Sequence, residues 1–147
     1  MSLFADVLTR SIVQWPEKEL ANITKVREYA FYQCSSLRNA ILPSTVTEIG
    51  KSAFYECSAL TDVQIGDIDP YSIIGSGAFS GTPWFASLPA ETMVCLSQNR
   101  ILLTNTISDP TEGFVIPSTV VNLAAGSCMK YGSISLTSVV IPDSVEI

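Results

Sequence analysis

The apolar positions of this chain recur as a phrase. "AFYQCSSL" begins at Ala30 and "AFYECSAL" begins at Ala53, 23 residues later, with changes only at one polar and one small position. The offset holds beyond the phrase: Val26 maps to Ile49, Phe31 to Phe54, Cys34 to Cys57, Leu37 to Leu60 and Leu42 to Ile65. A period in this range marks a stacked-repeat architecture, because each unit can bury its apolar face only against its neighbours. A reaction centre needs one set of groups in one place, so the repetition points to a structural module.

The first two units start at Ile23 and Val46. A third, "IIGSGAFSGTPW", keeps the Ile-Gly and Ala-Phe skeleton: Ile74, Gly75, Ala78 and Phe79 lie 25 residues after Ile49, Gly50, Ala53 and Phe54, with two residues added in "GDIDPYS". A fourth, "VIPSTVVNLAAGSCM", repeats the "PSTV" that ends at Val46, but Leu123 stands for Ile49 and Cys128 for Phe54, so the phrase has degraded. It recovers in "LTSVVIPDSVEI", where Leu136, Val139 and Ile141 match Leu60, Val63 and Ile65. "LTDVQI" and "LTSVVI" read L-x-x-L-x-L, a short strand with its apolar side chains inward and the residues between them outward. "AFYQC" then forms the opposite wall of the coil around a buried Phe. Pro43, Pro117 and Pro142 follow the strands, where a missing N–H does least harm to a ladder.

In "VTEIGKSAFYECSALTDVQI" the Ile-Gly, Ala-Phe, Cys, Leu and closing strand resemble the BspA-like leucine-rich repeats of bacterial surface proteins. "GAFSGTPWF" is similar to a variant of that family in which Gly-Thr-Pro-Trp leads into an inserted segment. Ala40 and Cys128 depart from the pattern. The resemblance spans residues 23–147 apart from the insertion, and implies a leucine-rich repeat solenoid. Its right-handed coils are of about 23–25 residues, with short parallel strands on one face and one inserted short helix plus hairpin. The expected division is a flanking or capping segment at 1–22 and a solenoid at 23–147. Its repeats lie near 23–45, 46–69, 70–82 and 114–141, with a partial unit at 142–147 and an insertion at 83–113. An end at "IPDSVEI" with no polar cap leads us to expect a segment of a longer solenoid.

In the insertion, Thr82 is a candidate N-cap with Pro83 at the first helical position, so "TPWFASL" predicts a short helix ending at Pro89. "MVCLS" and "RILLT" flank Gln98 and Asn99 as in a hairpin, and "DPTEG" predicts a turn back to a strand at Phe114. Ahead of the repeats, a helix capped at Ser2 with Leu3, Val7 and Leu8 on one face competes with a strand in "SIVQWP", parallel to "AILP". We prefer the strand for residues 11–16.

Composition narrows the chemistry. Eight basic against fourteen acidic residues give a net charge of −6, which leaves little to drive counterion release, so no nucleic-acid partner is expected. The chain is 47% apolar but has no run near the ~18 residues of a membrane span. "MSLFADVLTRS" lacks a secretory signal, so an exported protein would carry its signal outside this chain. With no histidine, Ser-His-Asp and Cys-His pairs are impossible and imidazole ligands are absent, while no acidic pair has the context of a glycosidase site. No enzyme activity, cofactor or metal is expected.

Cys34 and Cys57 occupy one slot in successive coils, which favours core packing over a redox or metal pair, with a stacked disulfide as the minor alternative. Asp67 and Asp69 in "GDIDP" fall far short of a calcium ligand set and read as a solvated turn. "NIT" at Asn22 is a formal glycosylation sequon of low specificity.

The resemblance implies a binding module, typically a bacterial adhesin at the cell surface that contacts host matrix proteins or cells. A structural or spacer segment of a cell-envelope or prophage-encoded particle protein is the alternative. The strand pattern puts Asn39 and Ile41, Asp62 and Gln64, and Ser138 and Val140 outward, with Arg38 and Thr61 at the edges. These eight residues are the candidate partner-binding face, for a host protein or for other coils of a longer chain. The face is mildly polar and has no aromatic anchor. Tyr32 and Tyr55 fall in equivalent slots on another face, as an exposed pair or as a cover for the coil edge.

Overall fold

The computed structural model describes residues 12–13, 23–89, 93–96, 98, 100–105, 114–128 and 138–146. In chain order its elements are β1 (Ile12–Val13), β2 (Lys25–Val26), β3 (Asn39–Leu42), β4 (Glu48–Ile49), β5 (Asp62–Ile65), β6 (Ile73–Ile74), α1 (Pro83–Ala86), β7 (Met93–Leu96), β8 (Ile101–Asn105), β9 (Phe114–Val115), β10 (Asn122–Leu123) and β11 (Val139–Val140). The helix expected at Ser2, the "DPTEG" turn and the Asn22 sequon lie outside the described residues.

Each of the first coils contributes a strand to two parallel ladders. One runs β1-β3-β5 and the other β2-β4-β6. Ile12 pairs with Asn39 and Val13 with Ala40, so the strand expected in "SIVQWP" is present and parallel to "AILP". Next, Asn39 pairs with Asp62, Ala40 with Val63, Ile41 with Gln64 and Leu42 with Ile65, the 23-residue offset read from the sequence. The second ladder keeps it at Val26 and Ile49 and lengthens to 25 at Ile74.

The wall built from "AFYQC" carries a third set of inter-coil bonds. The amides of Tyr29, Phe31 and Gln33 donate to the carbonyls of Lys51, Ala53 and Tyr55, and those of Ser52, Phe54 and Glu56 donate to Ser76, Ala78 and Ser80. Aligning alternate amides in one direction requires left-handed backbone at two places per coil: Tyr29, Ser52 and Gly77 share one, Gln33, Glu56 and Gly81 the other. Only the third coil places glycine at both. Behind this wall Phe31, Phe54 and Phe79 form a continuous stack, with ring centroids 4.9 and 5.3 Å apart and interplanar angles of 11° and 4°. Trp84 closes it edge-on at 5.0 Å. Ala53, Phe54, Cys57 and Leu60 are wholly buried, so the phrase repeated in the sequence is the core-forming part of each coil.

The Ile-Gly pair also has a steric cause. A Cβ on Gly50 would lie 2.3 Å from the Glu28 amide nitrogen, and one on Gly75 would lie 2.4 Å from that of Lys51. Successive coils touch backbone to backbone there, at positions where the first coil carries the exposed Arg27. A hydroxyl completes each turn into the next coil: Thr45 donates to the Ile23 carbonyl, Ser72 to Val46 and Ser144 to Val120.

The third coil breaks off after its wall. Thr82 accepts from the Phe85 amide, Pro83 occupies the first turn, and α1 starts as predicted but ends at Ala86 instead of Pro89. β7 and β8 then make the expected antiparallel hairpin, with a register shift between Val94 and Cys95. β8 also pairs in parallel with β10. The amides of Val121 and Asn122 share the Arg100 carbonyl and Ala124 donates to Leu102, as Thr47 and Glu48 share Thr24 and Gly50 donates to Val26. Thus β8 acts as a ladder strand for the coil that follows it. The stack stays joined across this break, since Ala125 donates to the Ile74 carbonyl and Asn122 Nδ2 to that of Ser72.

Candidate functional site

The outward face of the β1-β3-β5 ladder brings six of the eight expected residues together. Ala40, Leu42 and Val63 point into the core, while Asn39, Ile41 and Asp62 are half-buried and Gln64 is exposed. Asn39 lies beside Asp62 and Ile41 beside Gln64, and Gln64 Nε2 donates to Asp62 Oδ2 at 3.0 Å. Arg38 and Thr61 sit at the edge, exposed, with the Arg38 carbonyl accepting from the Thr61 and Asp62 amides. The result is one exposed guanidinium and one carboxylate around amide and hydroxyl groups, with Ile41 as the apolar centre.

Ser138 and Val140 are not on this sheet. β11 pairs only with β9 among the described residues, with Val140 beside Val115. Both valines are largely exposed there, with Ile141 exposed next to them. The sequence pattern gave the outward direction of Val140, but not the break that separates its ladder from β5.

Two further surfaces were partly legible. Tyr32 stacks on Tyr55 at 5.3 Å and 10°, and Tyr29 meets Tyr32 edge-on at 5.7 Å. Tyr32 remains 43% exposed and Tyr29 49%, so the pair covers the coil edge and still shows an aromatic surface to solvent. Gln33 Nε2 donates to Glu56 Oε2 at 2.8 Å in the neighbouring column. Tyr29 was missed because its equivalents, Ser52 and Gly77, are small; its left-handed backbone is the signal that links the three. On the second ladder Lys25 Nζ and Glu48 Oε2 pair at 2.7 Å, a surface contact worth at most ~1 kcal/mol.

All four cysteines are free, and no group of three His, Cys, Asp or Glu side chains able to hold a metal occurs among the described residues. Cys57 donates its S–H to the Phe31 carbonyl at 2.9 Å. Thr82 holds the equivalent place in the third coil, its hydroxyl donating to the Phe79 carbonyl at 2.8 Å. Burial pushes the Cys57 thiol up to about 11 from 9.0, and raises Cys34 and Cys95 as well.

Because the unfolded chain releases the Cys57 proton first, this thiol's contribution to stability is complete below pH 9.0 and is lost as pH rises towards about 11. We therefore expect slow alkylation of Cys57 in native buffer, fast alkylation in denaturant, and a denaturation midpoint that falls over that alkaline window. Cys57→Val should flatten the fall. Rapid native labelling at pH 8 would contradict the buried, protonated thiol.

Asp69 Oδ1 accepts from the Tyr71 amide and Asp67 Oδ2 from Gln98 Nε2. Both carboxylates thus have partners within the protein, as suits a solvated turn. Among the described residues no helix is long and apolar enough to cross a membrane.

The BspA type Leucine rich repeat region model matches residues 5–102, in 6 copies. The chain belongs to the BspA-type leucine-rich repeat family. The match begins ahead of Ile23, where β1 extends the first ladder, and ends on β8. Among solved structures, the T. pallidum Leucine Rich Repeat protein is similar, at 26% identity with a TM-score of 0.44. The alignment covers 69% of this chain and 45% of that one, so this BspA-type chain spans less than half the length of that relative. No curated protein matches it.

Proposed function

We propose that the chain is a non-enzymatic protein-binding module of a larger surface-exposed protein, and that its task is bacterial adhesion to host matrix proteins or cells. The family supports an interaction role at a cell surface. The observation that carries the reading is the register of β3 against β5, which sets Asn39 beside Asp62 and Ile41 beside Gln64 on one outward face. Arg38 and Thr61 flank it.

A face of this kind binds through complementarity of hydrogen bonds and charge around a small apolar centre, not through one large anchor. Removing Arg38, an exposed charge at the rim, should weaken contact with an acidic partner by up to ~1 kcal/mol, chiefly by slowing association, and should reduce its salt dependence.

The test is binding of the purified chain to immobilised fibronectin, laminin, collagen and fibrinogen by surface plasmon resonance, with an Arg38→Ala/Asp62→Ala/Gln64→Ala triple variant. Saturable binding that the triple variant loses, with its thermal midpoint unchanged, is the expected result. Absence of saturable binding to all four would remove the matrix-adhesion reading and leave the module as a structural spacer of an envelope or particle protein.

A further inference from the structure

Among the described residues the first ladder stops at β5, because the third coil, after Gly81, turns into α1 instead of returning a strand. In a parallel pair the backbone groups of alternate residues face one neighbour. The amides of Asp62 and Gly66 donate to Arg38 and Leu42, so those of Val63 and Ile65, with their own carbonyls, face the opposite edge. No described residue pairs with that edge.

It is bounded at both ends. The Trp84 amide donates to the Leu60 carbonyl at 2.8 Å, one residue ahead of the Thr61 carbonyl, the counterpart of the Arg38 carbonyl on which a further strand would make its first rung, and Gln98 Nε2 reaches Asp67 Oδ2 at 2.8 Å just past the strand. Between them the Thr61 carbonyl and the amides and carbonyls of Val63 and Ile65 form a row of two donors and three acceptors at strand spacing. Unpaired edges of this kind are templates for an added strand, and only an extended polypeptide matches such a row of peptide groups.

We propose that the outer edge of β5 is a strand-addition site, which takes a short extended segment of a partner protein, parallel to β5, in the place that no strand of the third coil takes among the described residues. The segment would carry apolar side chains at alternate positions, inward beside Val63 and Ile65, and polar ones outward beside Asp62 and Gln64. It would therefore extend the face described above, yet it rests on backbone pairing and stands apart from any matrix-binding role.

The experiment is amide hydrogen exchange by NMR on the whole chain, alone and with a synthetic peptide of residues 36–44, "SLRNAILPS", whose sequence already lies in register against the other edge of β5. In the free protein the Val63 and Ile65 amides should exchange faster than those of Asp62 and Gly66. Saturating peptide should slow Val63 and Ile65 by at least roughly ten-fold. The same peptide N-methylated at the positions of Asn39 and Ile41 should have no effect, since those amides supply the donors.

Strong protection of Val63 and Ile65 in the free chain would overturn the proposal, since the edge would then be occupied from within. So would unchanged exchange with saturating peptide, or equal slowing by the N-methylated form. A failed matrix-binding assay leaves each of these readings intact.

Discussion

Phe54→Ala is expected to destabilise the chain by about 3–5 kcal/mol, the range for emptying an aromatic core position. Phe54 is wholly buried and is the middle ring of three, so its loss removes both stacking contacts and leaves a void between Phe31 and Phe79 that neither coil can close alone. Coils in a stack hold one another through nearest-neighbour interfaces, so the damage falls on two interfaces at once. Gln64→Ala, on the outward face, should stay within about 0.5 kcal/mol. Chemical denaturation reads both. Equal midpoint losses in the two variants would contradict the inward and outward assignment.

Gly50→Ala adds a single methyl group and should nonetheless cost about 3 kcal/mol or more, at or beyond the upper end of ordinary overpacking. The added carbon would sit 2.3 Å from the Glu28 nitrogen and 2.7 Å from the Arg27 carbonyl carbon, both backbone atoms that cannot rotate away. Relief requires the first two coils to separate, at the expense of the Gly50 amide bond to Val26 and its neighbours in the ladder. Gly77→Ala is the control. Its Cβ would meet nothing nearer than 3.6 Å, so only the left-handed backbone is penalised, by about 1–2 kcal/mol. A Gly50→Ala variant no less stable than Gly77→Ala would show that the coils do not touch there.

The ladder register was legible because the period is carried by side chains with one possible role. Phe31 and Phe54 are large enough that their offset fixes the stacking, and the alternation in "LTDVQI" fixes which residues face out. The capped turn of α1 was legible from Thr82 and Pro83, whose preferences are local. What the sequence hid depends on contacts between distant residues. Nothing in "RILLT" distinguishes a hairpin strand packed on the solenoid from one that takes the place of a coil strand; that follows from Arg100 and Leu102 meeting Val121 to Ala124. In the same way "LTSVVI" looks equivalent to "LTDVQI", yet β11 builds a separate ladder with β9, so Ser138 and Val140 leave the candidate face. Tyr29 joins the tyrosine cluster through a backbone angle that its residue type disfavours, and residue type was all that could be read.

The register of β3 against β5 underlies the core, the candidate face and the open edge alike, and cysteine crosslinking tests it most directly. In a background with Cys34, Cys57, Cys95 and Cys128 replaced by alanine or valine, Asn39→Cys paired with Asp62→Cys should oxidise readily to an intramolecular disulfide. These residues are direct partners on one face, at the ~5 Å spacing of neighbouring strands, within the range a disulfide spans. Asn39→Cys paired with Gln64→Cys, displaced by two residues to roughly 7–8 Å, should stay reduced under the same oxidant. A crosslink in the displaced pair and none in the direct pair would contradict the register, and with it the face and the edge built on it.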